Sequence, residues 1–574
     1  MSILVQKHLC NKGFECVLDV VLGAERLNIK IEIEGQELIL VLIENKPFTA
    51  MPKFVLLKPE SYSKLAHVMF VEFDGTIVGA ICVNDRDSVS INFARPELAV
   101  EESLKRHIIL LKKAITDHEW NQRELLREFY SNWLQICDLD HERPLLVACS
   151  DPVLQSLAVY SPQPDAKSGL NCHYLVEPAD NSLSPLNGLK WSATNVRRSL
   201  AGRAVVVPIE DLKPAPNDIE SIREWYIKTI EQLPIKTRNT LERKFGQWRE
   251  KQYWVVFTAE TVLTERTWFA VKLTSKAKKS LPVKRGSFER WKLKAQAVRM
   301  FSHDNVVRRG GGNTNLFNKR IALVGAGSVG GEIAHKLSSA GISELTIFDN
   351  DIYSIDNLYR HVLPEYFVGC RKSEALCYML HNQFPWTNVK FSTEELLQIS
   401  ERELIGFDLI IIAIGRPTHE LLFKKNLLDH EIEVPVINCW LEGFGLGGHA
   451  VLDIPGSKGC LLCSYVCQES GMRGLSSNLN FIEQNQNISK NIGGCGEQYI
   501  SYSAVCSAQT ALLATDLAIK FLENRISESC KVSWKGDDHE ASLEKIRLTH
   551  RYYHFDNSFK RLPLLDEDCD ICNE

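Results

Sequence analysis

Two β-rich runs, Leu27–Glu34 and Glu37–Ile43, are broken by Gly35-Gln36, which predicts a hairpin. Strand-like runs follow at Lys53–Lys58 and Thr76–Val83, the second ending at Asn84-Asp85. Residues 97–117 place apolar side chains at helical spacing with no Gly or Pro, predicting a helix. Residues 119–150 read as a helical bridge anchored by Trp120, Phe129, Tyr130 and Trp133. The polar stretch Ser161–Ser192 reads as loops, and Tyr253–Thr258 and Thr267–Leu273 as short strands of a mixed domain. From Lys319 the pattern changes to buried strand, glycine turn and helix: RIALVGAG, SVGGEIAHKLSSAG, LTIFDND, with another buried strand over Asp408–Ile414. That alternation predicts βαβ units and a parallel, doubly wound sheet. The expected architecture is multidomain α/β: a small α+β unit over residues 1–118, a mixed linker domain over 119–300, and a Rossmann-like domain over 301–574.

Composition narrows the function classes. The 574 residues carry 67 Lys and Arg against 72 Asp and Glu, a net charge of −5, which argues against bulk nucleic-acid binding. No run approaches the ~18 apolar residues of a membrane span, and the N-terminus reads as lacking a signal peptide. Seventeen cysteines without a leader suggest thiols and metal ligands in a reducing cytoplasm.

The glycine turn Gly325-Ala-Gly327-Ser-Val-Gly330 follows a strand and opens a helix. Glycines admit close approach of phosphate, and the helix N-terminus stabilises negative charge. Asp349, 22 residues after Gly327, stands where a carboxylate can accept hydrogen bonds from ribose hydroxyls. This motif fits NAD as well as ATP. Asn357, Arg360 and Lys372 tilt the reading: a triphosphate being cleaved needs cations for its developing charge, which an NAD site does not.

The pattern D-x-D…N-L-x-R…G-x-x-K resembles the adenylation domain of the ubiquitin-activating enzyme superfamily, ThiF and MoeB type, over about Asp304–Glu574. The resemblance implies that Gly325, Gly327 and Gly330 cradle phosphate, Asp349 holds ribose, and Asn357, Arg360 and Lys372 contact ATP. It also implies a homodimer in which Arg308 or Arg309 reaches the partner's site. The sequence departs from the family at Gly415, where a magnesium-linked Asp often stands. Asp351 is the candidate substitute for Mg²⁺.

Cys460-Leu-Leu-Cys463 and Cys569-Asp-Ile-Cys572 are two C-x-x-C pairs able to close one tetrahedral Zn²⁺ site, with Cys467 as a substitute ligand. Cys495 lies in a Gly-flanked loop before a helix, where a thiol could attack an acyl-adenylate. A structural cysteine in a turn is an equal reading. Cys506, within an apolar helix, reads as core, and Cys439, after a buried strand, reads as structural.

Residues 20–118 resemble a divergent ubiquitin-conjugating fold, with Pro47 and Pro52, His67, Asp74-Gly75, and Ile81-Cys82-Val83. Gly79 is the nearer match to the family's glycine before the nucleophile. The resemblance makes Cys82 the acceptor thiol, although Val68 stands where the family has an oxyanion-supporting Asn. Joined to an adenylation domain, this unit resembles the fused conjugating–activating enzymes of bacterial CBASS antiphage operons. That implies adenylation of a partner's C-terminus by ATP and passage through thioesters on Cys495 and Cys82. The last step would be ligation to target lysines in antiviral defence, with a cGAS-like nucleotidyltransferase as the partner. The run Lys272–Arg299, with ten Lys and Arg, could guide an acidic partner tail. The alternatives are an activator of a sulfur carrier or ubiquitin-like protein, a non-enzymatic scaffold and, more distantly, an NAD oxidoreductase.

Overall fold

The computed structural model describes residues 2–43, 50–83, 91–93, 95–149, 151–162, 173–178, 198–262, 266–467, 470–491 and 498–556. Pro47, Cys495, Cys569 and Cys572 lie outside these residues. The described residues form two compact units, one ending at Phe301 and the other starting at Ser302.

The first unit opens with α1 (Ser2–Asn11) and a six-stranded sheet: β1 (Glu15–Val21), β2 (Ala24–Ile33), β3 (Gln36–Leu42), β4 (Phe54–Leu57), β5 (Val68–Phe73) and β6 (Thr76–Ile81). The strands are antiparallel in the order β1-β2-β3-β4-β6-β5. Three of its turns, Leu22-Gly23, Glu34-Gly35 and Asp74-Gly75, hold both central residues at positive φ, as type I′ hairpins require. The β2–β3 turn therefore sits one residue earlier than expected, because Gly35 takes its second position. The β5 partner of β6 was not foreseen, although Asp74-Gly75 is a strong hairpin signal. Helix α2 (Pro96–Thr116) packs Val100, Leu104 and Leu111 onto the sheet, joining Leu9, Leu40 and Phe54 in one core.

Helices α3 (His118–Arg127) and α4 (Phe129–Gln135) follow. The expected helical bridge stops there, because Leu145–Val147 is β7, buried at both ends in a second sheet. Its other strands are β8 (Gln155–Pro162), β9 (Tyr174–Pro178), β10 (Arg198–Ile209), β11 (Glu250–Glu260), β12 (Arg266–Lys279), β13 (Lys292–Gln296) and β14 (Val298–Met300). The sheet runs β13-β12-β11-β10-β8-β9-β7-β14, and β10 and β11 are parallel, joined through α5 (Ile222–Gln232) and α6 (Ile235–Thr240). Strand β9 falls inside the stretch expected to be loop; its Leu175, Val176 and Glu177 are buried among neighbours that local polarity could not reveal.

The aromatic anchors of α4 belong to this second core. The Phe129 and Trp133 rings lie 4.5 and 4.8 Å from Phe269 and are fully buried. The basic run is not one free face. Lys272 pairs with Glu142 at 2.7 Å, Lys284 with Glu242 at 2.6 Å, and Lys294 with Glu142 at 3.1 Å. Arg285 is shared by Glu224 and Glu231.

The second unit contains α7 (His303–Arg309), β15 (Arg320–Val324), α8 (Ser328–Ser339), β16 (Glu344–Phe348), α9 (Lys372–Gln383), β17 (Asn388–Ser392), α10 (Glu401–Leu404), β18 (Leu409–Ile412) and α11 (Pro417–Asp429). After these come β19 (Val436–Leu441), β20 (Gly447–Asp453), the short pair β21 (Lys490–Asn491) and β22 (Gln498–Tyr499), α12 (Ala504–Leu522), β23 (Cys530–Lys535), α13 (His539–Leu543) and α14 (His550–His554). Its sheet order is β17-β16-β15-β18-β19-β20-β23, parallel from β17 to β19 and antiparallel beyond. The strand order reverses between β15 and β18, and such a switch point opens a crevice at the carboxyl ends of the strands. Helix α12 is long and apolar enough to cross a membrane by length and composition, contrary to the expectation from sequence. It packs as a core helix, with Ala511, Ala514, Leu517 and Ala518 buried in the cluster that covers the sheet.

Truncating Trp133 to Ala should empty the centre of the second core. A cost of ~3–5 kcal/mol is expected for such a side chain, read as a lower urea midpoint of the full-length protein. A change under ~1 kcal/mol would show that α4 is not part of this core.

Candidate functional site: a glycine loop and two cation-bearing turns at the switch point

The glycine turn lies at the carboxyl end of β15. Gly325 has φ +98°, and a Cβ there would meet the Ala413 carbonyl oxygen at 2.8 Å. A Cβ on Gly330 would meet the Gly325 carbonyl oxygen at 1.8 Å, so these two glycines are demanded by packing. Gly327, the N-cap of α8, differs: a Cβ there would have nothing within 4 Å. This turn leaves open space at a helix N-terminus, where backbone N–H groups and the helix dipole favour an anion.

Asp349 directly follows β16 and is committed to the loop around it. Its Oδ2 accepts from the Ala326 N–H at 2.6 Å and its Oδ1 from the Asp351 N–H at 2.7 Å. Burial pushes its carboxyl above the ordinary range, against the pull of these two N–H groups. Ser373 donates to the Asp349 carbonyl at 2.7 Å, tying α9 to the same strand end.

The loop between β16 and α9 brings the predicted polar groups to this end of the sheet. Asn357 Oδ1 accepts from the Ser354 N–H at 3.1 Å and caps a short turn. Lys372, the first residue of α9, is largely buried, and its Nζ lies 3.1 Å from Asp351 Oδ2. The Arg360 guanidinium lies over the Tyr502 ring at 5.2 Å, with no carboxylate in ion-pair range among the described residues. Arg308 and Arg309 are exposed at the C-terminal turn of α7.

One positioning residue escaped sequence reasoning. His361 Nδ1 accepts from the Leu363 N–H at 3.1 Å, so its Nε2–H is the donor to the Ala326 carbonyl, 2.6 Å away. Burial pulls its imidazole below the ordinary histidine range, in keeping with this neutral tautomer. Its signal in the sequence was its place at the end of the N-L-x-R-H run Asn357–His361, which gave it no role of its own.

The magnesium candidates fit poorly. Gly415 has φ +62° and carries no side chain, Asp351 is engaged by Lys372, and both Asp349 oxygens accept backbone N–H groups. Beyond Gly415, Glu420 is buried; its carboxylate accepts from the Arg416 N–H at 3.1 Å and Asn438 Nδ2 at 3.0 Å, and burial pushes it up to about 7. Among the described residues no group of three His, Cys, Asp or Glu is placed to hold a metal ion.

The thiols separate by environment. Cys439 is fully buried at the centre of the sheet, and burial pushes its thiol up, as a structural role requires. Cys506 is not core as expected: it is half-buried in the first turn of α12, with Sγ 3.2 Å from Ser503 Oγ, because Ser503 caps the helix there. Cys460 and Cys463 hold their sulfurs 4.0 Å apart across a tight turn. Two corners of a zinc–thiolate tetrahedron, with Zn–S of about 2.3 Å, are about 3.8 Å apart, so the described half of that site has suitable spacing. The other half lies outside the described residues.

In the first unit Cys82 is exposed just past β6, and its N–H donates to the His67 carbonyl at 2.9 Å. A Cβ on Gly79 would meet Val68 Cγ1 at 2.7 Å, which explains the glycine before this thiol by close strand packing. His67 has φ +61° and is gripped from α3 and its C-cap: Nδ1 lies 2.5 Å from Oε1 of the cap residue Glu128 and Nε2 lies 3.5 Å from Glu124 Oε2. Its backbone N–H also donates to Glu128, at 2.9 Å. The Glu128 hydrogen bond raises the His67 pKa. Val68 is buried and offers no polar side chain near this turn.

Residues 303–567 match the model of the ThiF family. The chain is 27% identical over 269 residues to an ATP-dependent ubiquitin transferase-like protein Cap2 of Escherichia coli, covering 46% of this chain and 42% of the relative. It is 26% identical over 267 residues to Cap2 of Vibrio cholerae, covering 45% and 42%. SUMO-activating enzyme subunit 1 of Xenopus tropicalis is 26% identical over 140 residues, covering 24% and 39%. The chain thus aligns with less than half the length of each of these relatives.

Replacing His361 by Ala leaves the buried Ala326 carbonyl without its donor and should cost ~1–3 kcal/mol. Because the folded-state pKa is lowered, wild-type stability should fall as pH drops below the unfolded value, and H361A should show a shallower acid limb, the remainder coming from other buried histidines such as His107. Denaturant melts at pH 7.5 and 5.5 would measure both effects; an unchanged acid limb would remove His361 from this role.

Proposed function

We propose that this chain, which carries a ThiF-family domain over residues 303–567, is an ATP-dependent enzyme that adenylates a carboxyl terminus and passes it through thioesters to an amine. The observation that carries this reading is the convergence of an open glycine turn at a helix N-terminus with Arg360 and Lys372 at the switch point of the sheet. A hydride-transfer enzyme needs no such pair of cations. The relatives' description as ATP-dependent and ubiquitin transferase-like agrees with it.

In the proposed reaction a partner's carboxylate oxygen attacks the α-phosphorus of ATP, and the bond to the β-phosphate breaks with loss of pyrophosphate. Arg360 and Lys372 stabilise the charge that gathers on the phosphate oxygens. Magnesium would enter with the triphosphate, since that ion keeps most of its water and needs few protein ligands. The Cys495 thiolate then attacks the acyl carbon, and AMP leaves with the bonding electrons. Exchange onto the Cys82 thiolate follows, and a lysine amine attacks that thioester, releases the thiolate and gives up its proton to solvent.

Zinc on Cys460, Cys463, Cys569 and Cys572 would have a structural role. We assign the partner to a cGAS-like nucleotidyltransferase offering its C-terminal tail, in antiviral defence in the cytoplasm. Arg308 or Arg309 would act across a homodimer.

Arg360→Ala and Lys372→Ala should each lower pyrophosphate–ATP exchange by ~10²–10³ with the partner present. Normal exchange in both would place the triphosphate elsewhere. C82A should still trap the partner on Cys495 as a reducible adduct, and C495A should load neither thiol while exchanging pyrophosphate. Non-reducing gels report this order; a C495A enzyme that charges Cys82 would move the first thiol to another cysteine, with Cys506 the first to test.

A further inference from the structure

We propose that Tyr502 is a positioning residue of the nucleotide site, a fixed aromatic platform that holds the Arg360 guanidinium at the N-terminus of α8 with its donors free. The inference rests on the reading of that site as nucleotide-binding.

The charge pattern around the site frames the argument. Lys372 is already matched by Asp351 at 3.1 Å, whereas Arg360 has no carboxylate in ion-pair range among the described residues. An arginine in a salt bridge must give up that bond before its N–H fork can take a phosphate. One lying on an aromatic face does not, because the ring attracts the cation through its π-cloud and leaves the edge donors available. The Tyr502 ring lies 5.2 Å from the Arg360 guanidinium carbon and supplies that surface.

Tyr502 is itself held on three sides. Its hydroxyl lies 3.2 Å from Oγ of Ser328, the first residue of α8 and the neighbour of Gly327. The Ser501 carbonyl accepts from the Phe444 N–H at 2.7 Å, which ties the preceding peptide to the turn between β19 and β20. Ser503, the next residue, caps α12 and accepts from the Cys506 N–H at 3.3 Å. The hydroxyl contact places the ring beside the first turn of α8, and the ring itself carries the cation.

The test is a double-mutant cycle on the full chain, with adenylyl imidodiphosphate and Mg²⁺ as the probe, followed by titration calorimetry. R360A should weaken binding ~10–100-fold, the scale of a charged hydrogen bond. Y502L should weaken it ~3–10-fold, the scale of a partly desolvated cation–π contact. Y502F keeps the ring and should recover most of what Y502L loses. In Y502L/R360A the leucine should add almost nothing to the loss from R360A, because both changes remove one function. Additive losses, or Y502F as weak as Y502L, would overturn the assignment. A wild-type chain that does not bind the probe would bring down the nucleotide-site reading, and the inference with it.

Discussion

The two peptide groups that flank Ala326 are each held by a side chain, and the carboxyl end of the sheet in the second unit is organised around them. The Ala326 N–H is taken by Asp349 from just past β16, and its carbonyl by His361 from the loop before α9. Two separate segments thus fix one glycine turn, and the second of them also carries Arg360. Moving the turn would shift the cation, and moving the cation loop would release a buried carbonyl whose desolvation has no other compensation. A peptide plane rotates easily only when its polar groups are free, and here the plane on each side of Ala326 is tied. Both bonds are short, which holds the open space beside Gly327 in a defined shape before any anion arrives.

A comparable economy governs the thiol of the first unit. Cys82 is exposed, yet its backbone is fastened to the His67 carbonyl, and His67 is wedged between Glu124 of α3 and Glu128 at the junction of α3 and α4. The adjacent stretch is fixed from α3 as well: Asn121 accepts from the Ala66 N–H at 2.7 Å and donates to the Lys64 carbonyl at 2.8 Å. Mobility of the side chain is therefore separated from mobility of the chain that presents it. The left-handed φ of His67 is maintained by these contacts, since an isolated histidine would relax from it.

Electrostatics separate the two units in another way. In the first unit, four of the ten cations of the basic run, Lys272, Lys284, Arg285 and Lys294, are spent on Glu142, Glu224, Glu231 and Glu242. At the switch point, by contrast, Arg360 rests on a ring. A cation without a carboxylate is less stable in isolation than one with a partner, and it is correspondingly more available to an incoming anion.

The local signals were strong where short-range chemistry decides the conformation. The glycine turn, the strand before it, Asp349 just past β16 and the helix over Pro96–Thr116 were all legible, because alternation, helical spacing and glycine sterics act within a few residues. Tertiary structure decided the rest. Leu145–Val147 and Tyr174–Pro178 became strands because neighbouring strands supply their hydrogen bonds, which composition does not encode. Cys506 came out of the core because α12 begins only at Ala504, capped by Ser503, which leaves the thiol in the first turn. His361 and Tyr502 acquired partners 35 and 174 residues away in the chain. A sequence records which side chains can donate, accept or stack. Only folding brings a particular donor within 3 Å of a particular acceptor, and the candidate site is built from such pairs.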